Sequence, residues 1–193
     1  LFFGIVFTAH AQYQLVGGPC EGCEAVLEYG ERELASVDSL PGFEANQPKM
    51  KISGTIYKND GETPAPGVIL YLYQTNREGE YATRGGEKGW AKRHGYIRTW
   101  LKTDENGQYT FYTYKPGSYS SNPAHIHATI LESDGDYYYI DSFHFKGDPK
   151  IENVRHYLDQ RGGLGIVDLK PTGQLLLGSR DIILGKNVPD YKN

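Results

Sequence analysis

From residue 49 onward, short runs of alternating or continuous apolar residues are separated by clusters of Gly, Pro, Asn and Asp, the spacing of a β-sandwich or barrel. Residues 50–57 alternate and close at Asn59-Asp60-Gly61. Residues 68–74, VILYLYQ, form a nearly continuous apolar run suited to a buried strand, entered through Pro64-Ala65-Pro66-Gly67. Runs 100–103 and 108–114 flank Asp104-Glu105-Asn106-Gly107, which predicts a hairpin. Pro116-Gly117 turns the chain before Tyr119, two further strands (125–131 and 137–145) flank Ser133-Asp134-Gly135-Asp136, and runs 165–169 and 180–184 close the set. Only residues 151–160, after Asp148-Pro149, carry a helical pattern. Their Ile151, Val154 and Leu158 share one face, which predicts a helix packed on the sandwich edge and ended by Gly162-Gly163. The expected class is all-β, a sandwich with one short peripheral helix. Between Glu78 and Tyr96 lies a Gly- and charge-rich loop longer than a hairpin needs, and long ordered loops on a β scaffold are where sites are built.

The first residues read differently. Residues 1–8, LFFGIVFT, precede Ala9-His10-Ala11, which has small residues at the two positions a signal peptidase inspects. This predicts the tail of a secretory signal over 1–11 and a mature start at Gln12. The run is too short to span a bilayer and no other segment approaches the required length, so the expected protein is exported, periplasmic or extracellular, without a membrane span. Cys20 and Cys23, in GGPCEGCEA, are the only cysteines. An oxidising compartment favours a local disulfide. Zinc would need two further nearby ligands, and a redox-active CxxC usually opens a helix in a βαβ pattern, which this neighbourhood lacks. Residues 24–47 are acidic, contain Pro41-Gly42 and offer a short helical turn around 31–37. The chain thus divides into a signal remnant (1–11), an extension carrying CxxC that lies over the domain (12–48), and the sandwich (49–193).

Composition narrows the function. Apolar residues make up 38% of the 193, which allows a real core and excludes disorder, collagen and coiled coil. With 24 acidic against 20 basic residues, a net charge of -4 and no long basic run, the attraction needed for nucleic acid or polybasic membrane docking is missing. Sixteen tyrosines favour strands and also offer phenolates to hard metal ions.

Pro123-Ala124-His125-Ile126-His127 is the sharpest local signal. Residues two apart on a strand share a face, so both imidazoles can reach one ion, although two histidines on a polar strand face serve structure as readily as ligation. Tyr119 lies six residues before His125 across the turn-rich SYSSNP, and Tyr81 opens the long loop. Two imidazoles with two phenolates suit trivalent iron better than zinc or copper(I), but among so many tyrosines two can fall near a histidine pair by chance.

The segments GTIY, PAPGVILYLYQTN, GEY, KTDENGQYTFYTYKPGSY, PAHIH and FKGDP resemble the intradiol ring-cleavage dioxygenases, the catechol and protocatechuate dioxygenase group, over most of residues 49–186. The resemblance implies a prealbumin-like β-sandwich with long active-site loops. It also implies one mononuclear non-haem Fe(3+) held by Tyr81, Tyr119, His125 and His127, with catechol and O2 as substrates and a muconate-type product. Tyr119 corresponds to the labile tyrosinate displaced as catechol chelates the ion, and so to a catalytic residue. Two positions depart from the family pattern. Asn122 stands where an Arg commonly precedes Pro-Ala-His, and Ser142 where a Gln is usual. Losing a cation near developing negative charge costs transition-state stabilisation, for which Arg84, Lys92, Arg93 or Arg98 are candidate substitutes. Tyr73, Asn122, Ser142 and His144 are the candidate pocket residues, His144 sharing a sheet face with Ser142. His94 and His144 can line such a cavity, although a single histidine in a loop or strand is more often a surface or hydrogen-bonded residue, and Trp90 reads as core or an aromatic wall. Competing expectations are a binding module, since the pattern also resembles prealbumin-like and carboxypeptidase-regulatory modules, and an iron-binding relative without activity. An oligomer is compatible with the chain.

Overall fold

The computed structural model describes residues 12–156 and 158–192. The apolar run read as an export signal lies outside the described residues, among which no helix is long and apolar enough to cross a membrane. The strands are β1 (Gln14–Leu15), β2 (Val37–Ser39), β3 (Lys49–Tyr57), β4 (Ile69–Gln74), β5 (Arg98–Lys102), β6 (Gln108–Tyr114), β7 (His125–Leu131), β8 (Asp136–Phe145), β9 (Ile166–Val167), β10 (Lys170–Thr172), β11 (Leu175–Ser179) and β12 (Ile182–Ile183). Two short helices, α1 (Ala91–His94) and α2 (Glu152–Arg155), and a 3-10 helix, Cys23–Tyr29, complete the elements.

The strands form two mixed sheets packed as a sandwich, the expected all-β class. One has the order β1-β8-β7-β4-β5 with β9 added beside β8; the other has the order β10-β11-β3-β6-β2 with β12 added beside β3. Alternation explains which side chains meet between them. Leu70 and Leu72 of β4, Ile126, Ala128 and Ile130 of β7, and Met50, Ile52 and Ile56 of β3 all enter one buried cluster. Phe111 and Phe143 meet edge to face across it at 5.4 Å, the arrangement that ring quadrupoles favour.

The outer face of the first sheet is also covered. Ile69, Tyr71, Trp100, Leu131 and Tyr137 form a second cluster with Cys23, Ala25 and Val26 of the 3-10 helix. The indole N–H of Trp100 is shared between the carbonyls of Ala25 (3.1 Å) and Val26 (3.0 Å), which pins that helix to the sheet. Cys20 and Cys23 form a disulfide with Cα atoms 5.7 Å apart, closing the turn that enters it.

Three local expectations are corrected. The runs around Asp104–Gly107 are not a hairpin: the turn forms, with Gly107 N–H donating to Asp104 O at 3.0 Å, but β5 pairs with β4 and β6 with β3. Leu101 and Phe111 are both buried, and the chain satisfies both by changing sheet at the turn. The helix expected over 151–160 is the single turn α2. Only Ile151 of its apolar set is buried, and Gln160 has φ +55, which a helix excludes. The helical turn expected at 31–37 lies earlier, at Cys23–Tyr29, where Ala25 and Val26 have a sheet to cover, while Val37–Ser39 pairs in parallel with β6. The short β10 and β11 were not anticipated.

Phe143 is fully buried against Phe111 and beneath the Arg180 guanidinium, 4.6 Å from its ring. Phe143→Ala is expected to cost about 3–5 kcal/mol. In urea unfolding this shows as a lower midpoint with an unchanged m-value.

Candidate metal centre and aromatic cavity

Strand β7 lies between β4 and β8, and its alternation sends Ile126 inward while His125 and His127 project from the outer face. Directly across from His127 on β4 is Tyr73, and across from His125 on β8 is His144. His125 Nδ1–H donates to the carbonyl of Pro123 at 2.7 Å, which leaves Nε2 as the free electron-pair donor. The approach to β7 is anchored by Asp148, whose carboxylate accepts from the amides of Ala124 (3.2 Å) and Lys150 (2.9 Å). In this way FKGDP fixes PAHIH from the far end of β8.

The two tyrosines arrive on loops that cross closely. Gly117 N–H donates to Asn76 O at 2.8 Å, and Thr75 Oγ donates to Gly117 O at 2.9 Å. A Cβ on Gly117 would stand 2.4 Å from Arg77 O, and one on Gly79 (φ +82) would stand 2.6 Å from Ser118 O. Only glycine permits that approach. Gly79-Glu80-Tyr81 and Pro116-Gly117-Ser118-Tyr119 are thereby held side by side.

The result is a chain of donor atoms. Tyr119 Oη lies 3.1 Å from Tyr81 Oη, which lies 2.7 Å from His127 Nε2, which lies 3.0 Å from His125 Nε2. Ligands bound at about 2.1 Å to one ion and roughly at right angles stand about 3 Å apart, so the spacing is that of neighbours in one coordination sphere. Among the described residues no three His, Cys, Asp or Glu side chains converge as a metal site. A metal here must therefore use the phenols, which selects a hard, highly charged ion. The donor set fits ferric iron.

Electrostatics agree with that fit. Burial pushes the Tyr81 phenol far above its ordinary pKa, with the hydrogen bond to Tyr119 adding to it. His127 is held well below its ordinary value by burial and by the neighbouring imidazoles, and His125 is lowered chiefly by burial. Without a cation the Tyr81 phenol stays protonated and the two imidazoles neutral, and binding an ion through that phenol would release its proton.

Beside the quartet is a cavity of about 310 Å³, lined by Tyr73, Trp90, His94 and three of the four donors, with Glu21 and Arg93 at its rim. The guanidinium of Arg93 pairs with the Glu21 carboxylate, both side chains exposed. Behind Tyr73 and His127 a second space of about 230 Å³ is bounded by Tyr139, Ser142 and the disulfide turn. Rings of His94 and Tyr73 stack at 3.9 Å, and those of Tyr73 and His127 at 4.4 Å.

The structure thus brings Tyr81, Tyr119, His125, His127 and Tyr73 together. Ser142 joins them indirectly, its Oγ 3.4 Å from His127 Nδ1. A register shift between Ile126 and Ala128 sets Asp141 and Ser142 opposite the single His127, a β-bulge that turns Ser142 to the outer face. Asn122 does not line the cavity; it bridges Tyr119 and closes the turn, its N–H donating to Tyr119 O at 2.8 Å. His144 lines neither cavity, lying 5.6 Å ring to ring from His125 with Nδ1 3.1 Å from Ser142 O. Of the basic residues weighed as substitutes, Arg98 pairs with Glu28 at 2.7 Å, Arg84 stacks on Tyr96 at 3.9 Å and Lys92 is exposed, which leaves Arg93 at the cavity. Sequence reasoning missed Glu21; His94 both lines the cavity and is hydrogen-bonded, to Tyr71, which are two of the roles its sequence position allowed. The cysteine spacing, which predicts a tight turn, is the signal that bears on Glu21; its place at the rim depends on how the extension docks.

Burial, with cationic neighbours adding to it, lowers His94 and His144 from 6.5 to about 4. All four histidines are neutral when folded and bind protons more readily when unfolded. Stability of the metal-free protein should therefore be complete above pH 6.5 and fall as pH drops toward 4, with more than one proton taken up on unfolding. Urea midpoints across that window test this; a flat profile contradicts it.

No protein-family model matches the chain. Among solved structures it is similar to the dioxygenase domain of a dioxygenase carbohydrate-binding protein fusion from Streptomyces sp. SirexAA-E, with 21% identity and a TM-score of 0.62 over 81% of this chain and 94% of that one. It is similar to catechol 1,2-dioxygenase from Acinetobacter sp. ADP1, with 20% identity and a TM-score of 0.62 over 96% of this chain, and spans 65% of that protein. An intradiol ring-cleavage dioxygenase from Tetranychus urticae matches at 17% identity and a TM-score of 0.59, over 79% of this chain and 87% of that one. The chain shares the β-sandwich fold of these dioxygenase structures.

Proposed function

We propose that the chain is a non-haem ferric dioxygenase that opens a catechol-type ring between its two hydroxylated carbons, placing both atoms of O2 in a muconate-type diacid. The observation that carries this reading is the convergence of Tyr81, Tyr119, His125 and His127 within 2.7–3.1 Å steps at the wall of an aromatic-lined cavity. Structural neighbours named as catechol 1,2-dioxygenase and intradiol dioxygenase support it. A binding module has no use for four crowded donors.

Tyr81, Tyr119, His125 and His127 would hold the iron, which supplies a Lewis acid that draws electron density from a chelated catecholate and readies it for O2. The other contributions belong to the chain. His125 is oriented by its bond to Pro123, and His127 by its stack on Tyr73. Tyr119, half-buried and on a loop, is placed to yield as catechol enters, its Oη accepting a proton that the substrate gives up. Tyr73 and Trp90 offer faces to a flat ring, and Arg93, paired with Glu21 at the rim, would lend positive charge in place of the Arg usual at position 122 only where a ligand separates that pair. We propose export as well, from the apolar run at 1–8 and the disulfide, with a periplasmic or extracellular setting.

The ferric-loaded protein should show a tyrosinate-to-iron charge-transfer band in the visible that shifts on adding catechol without oxygen, and oxygen uptake should follow when air is admitted. His125→Ala should abolish stoichiometric iron binding, and Tyr81→Phe should weaken the band. A colourless iron-loaded protein indifferent to catechol, or full iron content in His125→Ala, would refute the assignment.

A further inference from the structure

His94 has no task in the dioxygenase reading, yet its surroundings dictate its chemistry. The side chain is 6% exposed, and its Nδ1 lies 2.9 Å from Tyr71 Oη. Tyr71 is fully buried, so leaving its own O–H unspent would be costly, and His94 Nδ1 is the acceptor within reach. The imidazole proton therefore sits on Nε2.

Nε2 has no hydrogen-bond partner among the described residues. Its edge faces the disulfide-closed turn, where a Cβ on Gly22 (φ +89) would stand 2.6 Å away. Glycine there, in a backbone conformation that other residues avoid, keeps any side chain off Nε2, and His94 is among the residues that line the cavity. The stack of His94 on Tyr73 and of Tyr73 on His127 sets His94 one aromatic ring beyond the nearest donor of the quartet. It addresses the part of a bound ring remote from the quartet. Two cations, Arg93 and Arg98, and two anions, Glu21 and Glu28, act on it, so no net field selects an ion there.

We propose that His94 is a specificity-determining residue, its Nε2–H donating to a neutral oxygen substituent on the edge of a catechol remote from the two ring hydroxyls. The proposal rests on the dioxygenase reading for the orientation of the ring. It is tested with 4-methoxycatechol and 4-ethylcatechol, close in shape and differing in one ether oxygen. Dissociation constants are measured by titration calorimetry without oxygen on iron-loaded wild type, His94→Gln and His94→Phe, and kcat/KM in air. Wild type should prefer the methoxy compound about tenfold, one hydrogen bond's worth. His94→Gln, whose amide N–H reaches near the same point, should keep most of the preference, and His94→Phe, which preserves the stack, should lose it. A measurement on unaltered protein guards against a misfolded variant. In the gallium-loaded wild type, nitrogen NMR should show His94 protonated at Nε2, with that proton shifted and protected by 4-methoxycatechol but not by 4-ethylcatechol. Equal affinities with tight binding of both compounds would overturn the role of His94 alone; failure of either catechol to bind would overturn the dioxygenase reading, and this inference with it.

Discussion

Four electron-pair donors stand within 3.1 Å of their neighbours on one patch of sheet, and two of them are imidazole nitrogens facing each other at 3.0 Å. With Nδ1–H of His125 committed to Pro123, its Nε2 has no proton to offer His127. Such crowding is tolerable only where a positive ion takes the lone pairs or where protons are shared in one arrangement. The scaffold imposes it regardless, because strand alternation brings the imidazoles to one face and close loop contacts at Gly79 and Gly117 bring the phenols together. The rest of the molecule can be read as the means of keeping those groups close and partly dry.

The amino-terminal segment contributes most to the dryness. Its 3-10 helix covers the outer face of the first sheet next to the histidines, held by Trp100 from below and by the Glu28–Arg98 ion pair at 2.7 Å from the side. Glu28 also accepts from the amide of Trp90 at 2.8 Å, so one carboxylate ties the segment to the strand and to the long loop at once. The disulfide-closed turn then carries Glu21 to Arg93 at the cavity rim. That outermost pair is exposed and contributes little to stability, so a ligand can separate it at small cost. Inner contacts give rigidity and the outer one gives access.

What sequence made legible followed from period and turn chemistry. The alternation in 50–57, 108–114 and 125–131 placed three strands within a residue of their observed ends. The four donor residues were legible through the family resemblance and the His-x-His period, and the glycines of GEY and KPGSY are explained by contacts that leave no room for a Cβ. Partners of strands were less legible. The turn at Asp104–Gly107 has hairpin chemistry, but which sheet β5 joins depends on Leu101 and Phe111 finding burial in different sheets. The bulge at Asp141-Ser142 is invisible to an alternating pattern, because one extra residue changes parity in the middle of β8. His94 could be named as a candidate lining residue, but not its orientation, because the contacts that set it come from Tyr71 and Gly22, which are far from it in sequence.

The two departures from the family pattern gain a physical meaning from these positions. Asn122 is committed to the turn that carries Tyr119, with its backbone paired to that residue, so the position where the family pattern has a cation is here part of the loop that places Tyr119. Ser142 keeps a short side chain opposite His127, leaving a space bounded by Tyr139 and the disulfide turn where a longer residue would reach toward the imidazole. Polar control is thus absent from the floor of the site and concentrated at its rim, on α1 and the disulfide turn, where Arg93, His94 and Glu21 gather. On the proposed reading, a site arranged this way would grip the two oxygens of a ring through its donors and read the remainder of the ligand through groups supplied by the extension and the long loop. Specificity would then depend on how those two segments dock, and the Trp100 and Glu28 contacts hold both of them to the sheet.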